Sequence, residues 1–260
     1  MSAARTAGGM WGWITSFLKP TARARALDRL RLGLPKVDSK QRREILRTSL
    51  SWESLHQACL SDLRRLTPTD LCRRLSISGW ENVNQLRKGD QGLVFVTAPF
   101  GCWELTLQPL VFGGTRQRLG IYPMSALATG SKQKYRLEAI DEGHLTTETA
   151  RAIESGIDML LVLDPGRSEN TFIEEPFLGQ TARIDATLTE LLNQHQSPII
   201  PIFGWAESRA SHIVSVKKPI SVRPNSDANE LDFARSFLSE LEVEIRAHPE
   251  CWPWMRTPNG

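Results

Sequence analysis

The chain has 260 residues, enough for one large domain with a sizeable core. Its composition, 40% hydrophobic and 23% charged, is that of a folded globular protein and excludes a disordered one. A formal charge of +3 is too mild to imply nucleic acid, and no nucleic-acid partner is expected.

The first stretch sets Trp11, Trp13, Ile14, Phe17 and Leu18 beside Arg5, Lys19, Arg23, Arg25, Arg29 and Arg31. The apolar run from Met10 to Leu18 is far shorter than the roughly 20 residues of a membrane-spanning helix. Gly12, Thr15 and Ser16 interrupt it and no small-residue cleavage site follows, so it does not read as a signal peptide. Aromatic rings favour the lipid headgroup boundary and cations are drawn to anionic lipid. Residues 1–30 therefore read as a basic, aromatic segment. Trp11, Trp13 and Phe17 either touch a membrane surface or pack on the protein's own core. Residues 31–260 read as the main domain.

Ser39 to about Arg74 reads as helical, with Ser39 as N-cap and Ile45, Leu46, Leu50, Trp52 and Leu55 on one face. Pro68 breaks the run, and Thr67 or Thr69 caps the next helix. The period then changes. Gly92 to Ala98 is a buried strand, Trp103 to Val111 a helix, and Leu119 to Tyr122 a second strand. Lys132 to Ile140 and Thr146 to Ser155 read as helices. Ile157 to Leu163 is a third strand, Ala186 to His195 a helix, and Ile199 to Phe203 a fourth strand. His212 to Val216 and Ile220 to Val222 form a further strand or hairpin, and Leu231 to Ala247 an amphipathic helix. Strands alternating with helices imply an α/β fold with a mostly parallel central sheet and helices on both faces, preceded by extra N-terminal helices. Ligands of such sheets collect beyond the carboxyl ends of the strands. That singles out the loops Pro99 to Glu104, Asp164 to Arg167 and Phe203 to Trp205.

Cys59, Cys72, Cys102 and Cys251 make no C-x-x-C pair, and no histidine stands at zinc-ligand spacing from a cysteine pair. Free thiols in a reduced compartment, no metal and no cofactor are the expectation. No Walker A, G-x-G-x-x-G or G-x-S-x-G pattern occurs.

An ordered set of segments carries a resemblance. Val96 to Glu104 reads Val-Thr-Ala-Pro-Phe-Gly-Cys-Trp-Glu. Leu32-Gly-Leu-Pro35 and Ile77 to Asn82 precede it. Leu161-Val-Leu-Asp164 and Pro176-Phe-Leu-Gly179 with Ala182 come after it, and Pro249 to Arg256 closes the set. This series resembles the bacterial lipid A-type (lysophospholipid) acyltransferases, whose first loop is His-x-Gly-Asn-Trp-Glu. The resemblance implies a lysophospholipid acyltransferase-like fold, lipid or acyl-chain ligands, and acyl carrier protein or CoA as donor if the chain is active. It implies a peripheral place on the cytoplasmic face of the inner membrane. Gly101, Cys102, Trp103, Tyr122, Asp164, Arg167, Phe177 and Gly179 then fall at substrate-binding positions.

In that family a hydroxyl of the acceptor attacks the thioester of an acyl carrier, the histidine takes the hydroxyl proton, and the acidic residue five positions on orients the imidazole. Here Pro99 occupies the histidine position and Glu104 the acidic one. Proline has nothing to titrate. Cys102 replaces the loop asparagine, Tyr122 falls at an arginine position, and Ile184 at a threonine. Hydrophobic and glycine positions persist while chemical ones do not. The expectation is a non-catalytic homologue that binds lipid or acyl chains or serves as an assembly subunit in a protein complex. The alternative is an active acyltransferase using Glu104, or a histidine recruited in space, as base. His56, His195 and His248 read as solvent-facing and His144 as a surface-loop residue. Gly101-Cys-Trp103 superficially resembles the papain-like Gly-x-Cys-Trp, but the rest of that signature is missing, and Cys102 reads as a small buried thiol.

Overall fold

The computed structural model describes residues 20–65, 67–87, 92–112, 119–122, 137–139, 145–165, 171–194, 198–208, 210–220 and 232–256. Trp11, Trp13, Phe17, His144, Arg167 and His195 lie outside them. The helices are α1 (Pro20–Gly33), α2 (Ser39–Arg65), α3 (Pro68–Arg74), α4 (Trp80–Leu86), α5 (Leu107–Phe112), α6 (Leu145–Glu154), α7 (Ala186–Gln194) and α8 (Asp232–Ala247). The strands are β1 (Leu75–Ser78), β2 (Val94–Thr97), β3 (Leu119–Tyr122), β4 (Leu137–Ala139), β5 (Asp158–Val162), β6 (Phe172–Phe177), β7 (Gln180–Asp185), β8 (Ile199–Ala206) and β9 (His212–Val216).

Seven strands form one sheet in the order β1-β9-β8-β2-β5-β3-β4. Its pairings are parallel except β8 with β9. Alternation along the central strands builds two cores. Val94 and Val96 of β2 and Met159 and Leu161 of β5 face one, while Phe95, Leu160 and Val162 face the other. Helices α6, α7 and α8 close the first through Ile153, Leu188, Leu192, Phe233, Phe237 and Leu241. Val83 of α4 and Leu107 and Leu110 of α5 close the second. The predicted mostly parallel sheet with helices on both faces is therefore present.

Helix α2 serves both cores: Leu46 and Trp52 pack in the first and Cys59 in the second. It begins one residue off the sequence reading. Asp38, not Ser39, is the cap: its Oδ1 accepts from the backbone N–H of Lys40 and Gln41 at 2.7 and 2.8 Å, and the Gln41 side chain returns a bond to Asp38 N–H. That is a reciprocal capping box, and its backbone bonds hold the exposed Asp38 carboxyl below its usual range. Thr67 caps α3 as expected, with its hydroxyl accepting from Asp70 N–H at 3.2 Å. Helix α1 buries Ala26 and Leu30 in the first core, while Arg29 donates to the Trp254 carbonyl at 3.2 Å.

Two readings needed correction and two features went unplaced. Residues 137–139, expected within a helix, form edge strand β4 because β3 offers them a parallel ladder. Leu75–Ser78 is a strand on the other edge, beside β9. Phe203 to Trp205 is not a loop but continues β8, paired with Ser215 to Ile213. Phe172–Phe177 and Gln180–Asp185 form an antiparallel hairpin that the sequence reading did not place.

The tip of that hairpin explains part of the family-like motif. Leu178 and Gly179 have φ of 49° and 71°, so both turn residues are left-handed, as a two-residue primed hairpin turn requires. A Cβ on Gly179 would meet the Leu32 carbonyl oxygen at 2.6 Å. Gly179→Ala therefore combines left-handed strain of about 1–2 kcal/mol with a clash against α1. The expected result is a lower urea midpoint with an unchanged m-value.

Candidate active site

β2 ends at Thr97 and delivers Pro99 to Glu104 past the carboxyl edge of the sheet. Gly101 has a φ of 57° and bridges Gly204 of β8. A Cβ there would stand 2.7 Å from the Gly204 oxygen and from Trp205 Cβ. Cys102 N–H donates to the Gly204 carbonyl at 2.9 Å, and Gly101 N–H to the Cys251 carbonyl at 2.8 Å. The motif glycine is thus needed for a left-handed turn pressed against β8. That turn sends Phe100 into the first core, against Phe203 and Trp205, and Cys102 and Trp103 into the second.

Glu104 follows in the short 3-10 turn Trp103–Thr106 and is 4% exposed. Its carboxylate does not lie alone. His56 Nε2 of α2 is 3.1 Å from Oε1 and 2.9 Å from Oε2. This corrects the reading of His56 as solvent-facing: only 26% of its side chain is exposed. Nε2 is thus the ring nitrogen turned to the carboxylate, where an imidazole N–H donates to its oxygens. The missing imidazole of the first loop is matched by another that reaches the same carboxylate from a helix 48 residues upstream.

One turn further along α2, Cys59 meets Cys102. The two sulfurs are 2.6 Å apart, and both cysteines are free and buried. The Cys102 thiol is pushed well up, first by burial, then by Cys59 and by Glu104. Cys102 is buried, as the reading of a small buried thiol expects, and a thiol raised in this way is a poor nucleophile. His56, Cys102 and Glu104 each present a donor atom within 4.8 Å of the others.

The remaining candidates divide. Pro99, Asp164 and Phe177 line an open cleft together with Arg29, Leu178, Trp252, Trp254 and Arg256. Arg256 Nη1 lies 3.4 Å from Asp164 Oδ2, and Phe177 meets Trp252 edge-on at 5.8 Å. Burial, with Arg25 nearby, lowers the Arg29 pKa. His56 and Glu104 are not among the residues lining this cleft. The two places are linked through α2: Ser49 donates to the Trp252 carbonyl at 2.9 Å, and His56 stands two turns, or about 10 Å, further along the helix. Gly101 and Gly179 hold backbone, and Trp103 fills the second core. Tyr122 ends β3, and its side chain lies outside the described residues. His248 is half-buried, with its ring 4.5 Å from Trp205.

His56 is the residue that sequence reasoning missed. The signal was present: Trp52, Leu55, His56, Cys59 and Leu60 follow helical spacing i, i+3, i+4, i+7, i+8, so His56 sits inside an apolar stripe.

A search of curated proteins finds no match. Among solved structures the chain is similar to the 1-acyl-sn-glycerophosphate (LPA) acyltransferase PlsC from Thermotoga maritima, with 10% identity and a TM-score of 0.41 over 94% of this chain and 97% of that one. The family model for bacterial lipid A biosynthesis acyltransferases matches residues 1–257, and the chain belongs to that family.

Proposed function

We propose that the protein is an acyltransferase in which His56 and Glu104 form the base dyad, moving an acyl chain from a thioester donor to a hydroxyl of a lipid acceptor. Membership of the family implies acyl and lipid substrates. The observation that carries the reading is the His56–Glu104 contact at 2.9 Å. Its strength is chemical. Glu104 holds Nε2–H and stabilises the imidazolium that forms, and Nδ1 takes the acceptor hydroxyl proton as oxygen attacks the thioester carbonyl. The tetrahedral intermediate then expels the thiolate, which recovers the proton from the ring. The cleft beside Pro99 offers aromatic walls and two arginines to a chain with an anionic end.

A second reading is favoured by one observation: Pro99, not the dyad, faces the cleft. On it the chain is a non-catalytic homologue that binds acyl chains or lipid there. Purified protein incubated with acyl carrier protein or CoA thioesters and lysolipid or glycolipid acceptors separates the two. Product formation supports the first reading. Binding of acyl donors without product, across acceptors of both classes, supports the second.

Peripheral attachment to the cytoplasmic face of the inner membrane belongs to the same proposal. No helix among the described residues is long and apolar enough to cross a membrane. The support is the pairing of Trp11, Trp13 and Phe17 with the exposed Arg25 and Arg31 of α1. Flotation with anionic vesicles is expected to carry the full chain upward. Removing residues 1–18, or raising salt, is expected to leave it at the bottom of the gradient.

A further inference from the structure

We infer that His56, Cys59, Cys102 and Glu104 form a binding site for a thiophilic divalent cation of the zinc class. The donors come as His56-x-x-Cys59 on one helix face and Cys102-x-Glu104 in the loop that leaves β2. The two pairs lie 43 residues apart, from Cys59 to Cys102, which is why the sequence does not join them. The fold brings them together. The donor atoms of His56, Cys102 and Glu104 all lie within 4.8 Å of one another, and the Cys59 sulfur adjoins that of Cys102.

One imidazole, two thiols and a carboxylate are a donor set for zinc rather than for calcium or magnesium, which take oxygen. With Zn–S bonds of about 2.3 Å, a tetrahedral ion sets its two sulfurs about 3.8 Å apart. The cysteines, now 2.6 Å apart, would open by about 1 Å. The site is half-screened from water: Cys59, Cys102 and Glu104 are buried, and His56 gives the entry side. A cysteine ligates as its thiolate. Binding therefore displaces two thiol protons, one from each cysteine, and leaves a thiolate–metal bond in place of each S–H. A bound ion takes the Glu104 carboxylate and Nε2, whose proton passes to Nδ1, so occupancy and base catalysis exclude each other.

The test uses the full-length protein, reduced and freed of reductant and metal, titrated with Co²⁺ and then Zn²⁺. The expected result is a near-ultraviolet sulfur-to-cobalt charge-transfer band saturating at one ion per chain, release of about two protons, and loss of the band as Zn²⁺ displaces Co²⁺. Cys102→Asn, which restores the amide common at that loop position, is expected to weaken cobalt binding by more than about 100-fold, beyond the 10–100-fold of a group that only supports a ligand. Cys59→Ser is expected to roughly halve the band. A reduced protein, with its thiols titrated as present, that gives no charge-transfer band overturns the site. So does a band that survives both cysteine substitutions, or a Cys59–Cys102 disulfide that persists after reductant treatment. Metal uptake is read optically and acyl transfer by product, so either can fail without the other.

Discussion

Replacing His56 with alanine is expected to lower the rate of acyl transfer by about 10²–10⁴-fold, the usual contribution of a positioned general base. The loss belongs in kcat, because His56 is not among the residues lining the cleft. Glu104→Gln keeps an acceptor oxygen for Nε2–H but gives up the charge that steadies the imidazolium, so it is expected to fall within the same range. The decisive measurement is the double variant. Two residues acting as one unit do not add, and His56→Ala with Glu104→Gln is expected to be no slower than His56→Ala alone. A pH–rate profile adds a separate check. Activity that needs a neutral imidazole rises as the ring loses its proton, and that limb disappears in the alanine variant. If His56→Ala transfers acyl groups as fast as the parent, the dyad assignment fails.

The same geometry predicts what Pro99→His does. Glu104 already holds one imidazole at 2.9 Å, so a second ring at position 99 competes for the same carboxylate. Pro99→His by itself is expected to give little. Pro99→His in the His56→Ala background is expected to recover part of the lost rate, because the family's own arrangement is then rebuilt on the cleft side. Recovery there, measured as product formed per enzyme, separates an intact site from one that has decayed around the substitution.

The division between what was readable and what was not follows from range. Gly92 to Ala98, Ile157 to Leu163 and Ile199 to Phe203 were legible because strands buried on both faces are short, unbroken apolar runs. Leu75–Ser78 was not, because two of its serines and Ile77 stay exposed on a sheet edge and it follows α3 without a turn residue. The β6–β7 hairpin was hidden by the Glu-Glu-Pro run in β6 and by Leu178 in a left-handed turn position that usually goes to Gly, Asn or Asp. Pro99, Gly101, Cys102 and Glu104 could be placed at the mouth of β2 because a strand's end locates its loop. His56 could not, since its partner lies 48 residues away and only the tertiary fold aims α2 at it. The helical stripe marked His56 as facing inward; it held no information about what it would meet.

Loss of Asp158 is expected to destabilise the fold strongly. The residue opens β5 and is fully buried. Its Oδ2 accepts from Arg87 Nη2 at 2.5 Å, and its Oδ1 from Leu93 N–H at 2.9 Å. Arg87 caps the end of α4, and Leu93 leads into β2, so one carboxylate ties a helix of the second core to two central strands. Truncation to alanine leaves a guanidinium with only 20% of its side chain exposed and a buried N–H without a partner. Breaking a buried pair this way costs about 3–5 kcal/mol, which in a chain of this size lowers Tm by roughly 6–20 °C. Asp158→Asn keeps acceptor capacity for Leu93 and is expected to cost less, about 1–3 kcal/mol. Removing both partners should relieve part of the penalty: Asp158→Ala with Arg87→Met is expected to be more stable than Asp158→Ala alone, because no unpaired charge is then buried. Thermal or urea unfolding of the four proteins reads this directly, and a double variant no better than the single one would place the cost in the Leu93 contact instead of the ion pair.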